Sequence, residues 1–187
     1  MISFIQANTT SIIGFLTLIS NIIFIAVLIV ILAHADSRKH LYNFVHKYIL
    51  ELLFFVLLGA VVGSLVYSEI VGFPPCDLCW WQRIFMYPQI VIVALAMYKK
   101  DKSIIDYLVP LSAIGVAIAL FQTFVQWGFS FGVSGGCAAV GGECAKVYFT
   151  QYSYITIPFM SLTIFVYVIA LKSIYYHKSW KLKNGWE

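Results

Sequence analysis

Five long apolar runs divide this chain, and the polar intervals between them are alternately basic and nearly uncharged. The runs cover about residues 12 to 33, 48 to 68, 80 to 98, 107 to 127 and 155 to 175. Each is close to the roughly 17 to 25 residues a helix needs to cross the hydrocarbon core of a bilayer. None shows the short alternating segments of a membrane-spanning strand. Inside lipid every backbone N–H and C=O must find its partner within the protein, so the runs predict helices. The expected fold class is all-α, a polytopic membrane helical bundle of five spans. Composition agrees: of 187 residues, 61% are hydrophobic and 11% charged, with a mean hydropathy of +0.90. A soluble domain carries about 25% charged residues. The spans leave no stretch long enough to form one.

The polar intervals set the orientation. Arg38, Lys39 and Lys47 lie between spans one and two, Lys99, Lys100 and Lys102 between three and four, and Lys172, Lys178, Lys181 and Lys183 at the C-terminal end. These are ten of the 12 basic residues. Short cytoplasmic connections hold an excess of Lys and Arg, so these intervals are expected in the cytoplasm and the N-terminus outside. The net charge of +4 then reads as topology and contact with anionic lipid, and no nucleic-acid partner is expected. Ala33-His34-Ala35 resembles a small-residue cleavage site. The preceding apolar run exceeds the usual 7 to 15 residues or so of a leader and lacks a basic start, so it is read as a span.

The candidate chemistry lies on the other two intervals. All four cysteines are there: Cys76 and Cys79 in "PPCDLCWWQR", and Cys137 and Cys144 in "GGCAAVGGECAK". Outside the cytoplasm thiols tend to be paired or redox-active. Pro74 and Pro75 can precede a helix but not continue one, so the third helix is expected to start near Cys76. Cys79 then sits in the first turn, where the positive end of the helix dipole favours a thiolate. Arg83, one turn deeper on the same face, adds a cation and a possible seat for a polar ligand head. An arginine costs about 2.5 to 3.5 kcal/mol at the bilayer centre and less near the interface. Its alternative role is to anchor the helix by snorkelling. Gln82 beside it adds an amide. The glycines around Cys137 and Cys144 allow a tight turn that could close those two sulfurs into a structural staple or leave them redox-active. Glu143 disfavours a thiolate at Cys144, which makes Cys137 the more accessible electrophile. Two short C-x-x-C knuckles would favour zinc, but the second spacing is longer, and no metal is expected. Trp80, Trp81, Trp127 and Tyr154 read as an interfacial aromatic belt, with Trp80 and Trp81 also able to flank a ligand. Residues 146 to 154 read as an amphipathic stretch lying in the interface.

"PCDLCWWQRIFMYPQ" resembles the signature of the disulfide bond formation protein B family (DsbB, with the Gram-positive-type BdbC branch). "ECAKVYFTQYSYITIPFMSLTIF" and "ALFQTFVQ" resemble two further segments of it. The resemblance implies a membrane thiol-disulfide oxidoreductase in the cell's inner or plasma membrane, supporting disulfide bond formation. Such a protein reoxidises an extracytoplasmic thioredoxin-fold, DsbA-like dithiol protein and passes the electrons to a membrane quinone, ubiquinone or menaquinone. Carried over by position, the resemblance makes Cys137 the sulfur attacked by the partner and Cys144 its intramolecular mate. Cys76 would exchange with that pair, and Cys79 would face the quinone. Arg83 would hold the quinone head, with Gln82, Trp80 and Gln122 beside it. Many relatives carry histidine at the position of Gln122. The amide can hydrogen-bond a quinone carbonyl but cannot titrate near neutral pH. The expected organisation is residues 1–44 as an extra N-terminal span with its cytoplasmic loop, 45–176 as a four-helix core, and 177–187 as a basic tail. The alternatives are a disulfide-stapled structural membrane protein, or the same machinery run as a reductase or for one dedicated substrate.

Overall fold

The computed structural model describes residues 2–33, 35–129 and 142–183. Five helices make up almost all of it: α1 (Ile2–Ala33), α2 (Ala35–Leu65), α3 (Asp77–Lys99), α4 (Leu108–Gln126) and α5 (Ile157–Lys183). All five are long and apolar enough to cross a membrane. The expected spans fall inside these helices, apart from their last or first one to three residues in places, but the helices run further. α1 continues through the uncharged N-terminal residues, and the basic stretch expected as a loop before span two is helical, with a kink at Tyr48 where that span was expected to begin. Lys102 Nζ donates to the carbonyl of His46 over 2.8 Å beside this kink. A side chain drawing on the hydrogen-bond ladder is a recognised cause of such bends.

Helix ends follow their local sequence. Cys76 is the extended N-cap of α3, with Pro74 and Pro75 immediately before it, and Asp77 in the first turn complements the helix dipole. α4 ends at Gly128, whose φ of +87° is one that side chains rarely adopt. There the N–H of Gly128 bonds Val125 O and that of Phe129 bonds Phe124 O, while the Phe124 and Phe129 rings meet edge-on, which is the Schellman arrangement.

Apolar burial is concentrated in one half of the bundle. Val45, Ile49, Leu53 and Leu57 of α2 pack with Val93 and Ala96 of α3, Ile105 and Leu108 leading into α4, and Val168 of α5. Among the described residues no member of this cluster comes from α1. In a bilayer the lipid is as apolar as the core, so close packing and interhelical hydrogen bonds hold the helices, each bond worth about 0.6 kcal/mol on average. Gln89, fully buried, accepts from Ser112 over 3.0 Å and so ties α3 to α4. Gly115 lets the buried Phe165 ring lie directly on α4, where an added Cβ would come within 2.4 Å of it. At the basic end Lys172 pairs with Asp106, and His46 stacks on Tyr175 at 4.9 Å.

The other end carries the cysteine-bearing segments. α2 passes through one turn of π-helix (Val66–Ile70) into the short link to α3. Residues 146 to 154, expected as an amphipathic stretch lying in the interface, are not helical. They make a turn with a single bridge between Gln151 and Ile155, with Tyr148 and Phe149 stacked on Phe73 and Tyr67 and with Tyr152 half exposed. Tyr67, Phe73, Tyr148 and Phe149 form one stack, and Tyr148 donates its hydroxyl to Pro74 O over 3.3 Å.

Candidate functional site

The N-terminal turn of α3 brings Cys76 and Cys79 side by side. Both are free, with their sulfurs 2.7 Å apart, within easy reach of the roughly 2.05 Å of a disulfide bond. Cys76 is 5% exposed. Its pKa is raised above the ordinary thiol range, first by the hydrogen bond with Cys79 and then by burial.

Gln122, 1% exposed on α4, reaches across to this pair. Its Nε2 lies 3.2 Å from Cys76 Sγ and 3.4 Å from Cys79 Sγ, and its Oε1 accepts from Gln82 Nε2 over 2.6 Å. The sequence pointed to Gln122 as a partner for a ligand carbonyl. In the structure both ends of its amide have partners, two sulfurs and the buried Gln82, and both glutamines line the cavity described below.

Arg83 reaches across to α2. Nε donates to Ser64 Oγ at 3.0 Å and Nη2 to the Ser64 carbonyl at 3.1 Å, while Tyr87 donates to the same Oγ at 3.3 Å. The guanidinium lies 5.3 Å from the centre of the Trp80 ring. Trp80 is 52% exposed and does not line the cavity described next, so it meets the site only beneath Arg83. Sequence reading missed Ser64 and Tyr87. A serine beside Gly63 in an apolar run was the available signal, because an intramembrane hydroxyl calls for a partner.

An apolar cavity of about 590 Å³ opens on these groups. Cys76, Cys79, Gln82, Arg83 and Gln122 all line it. Gly59 and Gly63 of α2 also line it, and nothing lies within 4 Å of a Cβ built on either. The Tyr67 hydroxyl, on a residue 5% exposed that also borders the cavity, is buried with no hydrogen-bond partner. Cys144 is fully buried and disulfide-bonded, between Glu143 and Lys146, which line the same cavity. Cys137 lies outside the described residues. Gln126 Nε2 holds the Lys146 carbonyl at 3.3 Å, so the Cys144 segment is docked beside the dithiol. Burial, and after it the nearby Cys76 and Glu143, push the Tyr148 hydroxyl's pKa up.

Residues 46–174 match the family model "Disulfide bond formation protein DsbB". Among curated proteins, the chain is 34% identical over 140 residues to probable disulfide formation protein C 2 of Bacillus anthracis, covering 75% of this chain and 97% of that one. It is 42% identical over 136 residues to the SPbeta prophage-derived disulfide bond formation protein B of Bacillus subtilis (strain 168), covering 72% and 89%. It is 38% identical over 114 residues to disulfide bond formation protein C of the same organism, covering 61% and 82%. No solved structure matches. With the match spanning the dithiol, its glutamine partners and the arginine alike, this multi-pass membrane chain belongs to the DsbB family of disulfide bond formation proteins.

Proposed function

We propose that the protein reoxidises an extracytoplasmic thioredoxin-fold dithiol protein and delivers the electron pair to a membrane quinone, with Cys76, Cys79, Cys137 and Cys144 as the redox-active groups. The observation that carries this reading is the dithiol opening on an apolar cavity. A structural bridge needs no such space, whereas a water-insoluble acceptor does. The cavity volume lies within the range of small-molecule sites, about 300 to 1,000 Å³. Its walls fit a quinone: the bare faces at Gly59 and Gly63 leave room for a flat ring or chain, and the unpartnered Tyr67 hydroxyl offers a donor to a carbonyl. Arg83 and Tyr67 would hold the polar edge of the ring. A bound quinone supplies a two-electron acceptor that also takes up two protons.

The chain's own groups then act in sequence. A partner thiolate attacks Cys137, opening the loop disulfide and freeing Cys144. The partner's second thiolate resolves the mixed disulfide, so the partner leaves oxidised and the loop pair reduced. A loop thiolate attacks Cys76 in the Cys76–Cys79 disulfide and frees Cys79, and the second loop thiol closes its own bridge again. When the Cys76–Cys79 bond re-forms, one electron pair and two protons have left through the cavity. Gln122 holds both sulfurs at the distance this needs, and Gln82 fixes the tilt of its amide. Placing the cysteine end outside the plasma membrane and the basic end in the cytoplasm agrees with the lysine distribution.

Purified protein supplied with a reduced thioredoxin-fold partner and a ubiquinone or menaquinone should oxidise the partner at the expense of the quinone. Cys79→Ser should lower that turnover by at least about a thousandfold, as loss of a reacting group does. Unchanged quinone reduction in Cys79→Ser sinks the relay, and net flow toward reduced partner would make the protein a reductase.

A further inference from the structure

The helix that the four-helix core does not require forms one wall of the cavity. Thr9, Ile13, Thr17 and Ser20, spaced along one face of α1, all border it. α1 does not close onto α2 there, since the space beyond Gly59 and Gly63 is empty. Small residues at i and i+4 in a membrane helix usually let a neighbour approach closely. These two do the opposite and keep a gap open along α2. α1 is held off at fixed points instead: Tyr167 of α5 donates to Asn21 Oδ1 at 2.7 Å, the Phe24 and Tyr167 rings meet at 4.5 Å, and Gln151 donates to Ser11 at 3.4 Å and fills the space beside Gly14. The hydroxyls of Thr17 and Ser20 donate back to carbonyls of α1 itself, Ile13 O and Thr17 O, and Ser20 also accepts from Tyr167, while Ile12, Ile13 and Leu16 add hydrocarbon to the wall. The outer side of α1 is bare hydrocarbon, with Phe15 and Ile22 more than half exposed.

We infer that α1 converts a lipid-facing groove between α2 and α5 into a walled channel for the apolar tail of the electron acceptor, so that this chain selects acceptors by their tail. This inference rests on the quinone reading above and extends it to a part of the chain outside the matched family region. The channel runs from the dithiol and Arg83 at one end, past Gly63 and Gly59, to Thr17 and Ser20. A ring seated against the sulfurs would therefore lay its tail along α1. A phospholipid acyl chain would fit the same walls but would bring no ring to the sulfurs.

The test uses the full-length protein in detergent. Binding of a naphthoquinone with a multi-isoprene tail and of tail-less menadione is followed by quenching of tryptophan fluorescence. Gly63→Leu and Thr17→Phe, which project into the gap, should weaken binding of the tailed quinone at least about tenfold while changing menadione binding less than about twofold, because only the tail loses its apolar contacts. Phe15→Leu, on the outer side of α1, should alter neither. A tailed quinone carrying a photoreactive group at its far end should label residues 9 to 20. Equal weakening of both quinones, no weakening of either, or label found only on α3 and α4 would overturn the role of α1. Menadione binding by the variants certifies that they are folded. A native protein that binds neither quinone overturns the functional reading itself and this inference with it, an outcome readily told apart from tail-blind variants.

Discussion

At the sulfur pair, a single amide decides what each thiol meets. Gln122 spends its NH2 on both sulfurs and its carbonyl on Gln82, so the dithiol is held without any group that titrates near neutral pH. The proton on Cys76 is held chiefly by its bond with Cys79. A raised pKa means less thiolate at a given pH, so Cys76 should react slowly with iodoacetamide up to pH values well above the ordinary thiol value of about 8.5. Cys79→Ala removes the largest cause of that shift and should speed Cys76 alkylation between about pH 7 and 9, leaving only burial to oppose it. Mass spectrometry of the labelled peptide reads this directly, and an unchanged profile would show that burial alone governs the thiol. Cys76, Cys79, Gln82 and Arg83 drew notice in the sequence because their types are costly or rare at a membrane edge, whereas Gln122 drew it only through the family resemblance. What Arg83 touches was not legible there. Ser64 lies 19 residues away on another helix, and only the packing of α2 against α3 brings its hydroxyl and carbonyl under the guanidinium.

The helices show the same division. The lengths of the apolar runs and the two prolines before Cys76 placed the elements and fixed the start of α3 to within a residue. Apolar length says less about ends, since a helix can continue past the hydrocarbon wherever residues such as those before Ile12 tolerate it. It says nothing of which face meets which, because a helix surrounded by lipid is hydrophobic all round. That is why nothing in the sequence signalled that one face of the extra N-terminal span borders the cavity. The α4–α5 contact turns on Gly115, where a methyl group would strike the fully buried Phe165 ring. Gly115→Ala gains helix propensity of up to about 1 kcal/mol but overpacks this contact, at a typical cost of 1 to 3 kcal/mol or so, so a net destabilisation is expected. A lowered Tm in detergent checks it. Gly59→Ala, with open space at its Cβ, should not lower Tm, and a Tm drop as large as that of Gly115→Ala would mean the gap along α2 is filled.

For the whole molecule, the polar inventory is sorted by end. Lys102, Lys172, Asp106 and His46 gather at one end of the bundle, and both cysteine-bearing segments lie at the other. In a background with the four native cysteines replaced by serine, Glu69→Cys should be labelled by an impermeant maleimide added to intact cells, and Lys99→Cys only after the membrane is opened. The reverse pattern would turn the protein over and place its dithiol where glutathione keeps thiols reduced. The uneven packing between the two ends also has a mechanical consequence. The tight apolar cluster and the cation-aromatic contacts around Tyr175 clamp α2, the start of α4 and α5 at the basic end, like the rivet of a pair of tongs. A helix of 20 residues is about 30 Å long, so a rocking of about 5° at the rivet swings its far tip by roughly 2.6 Å. At the jaws a swing of that size would change the width of the cavity beside the dithiol while the cluster at the rivet stays packed.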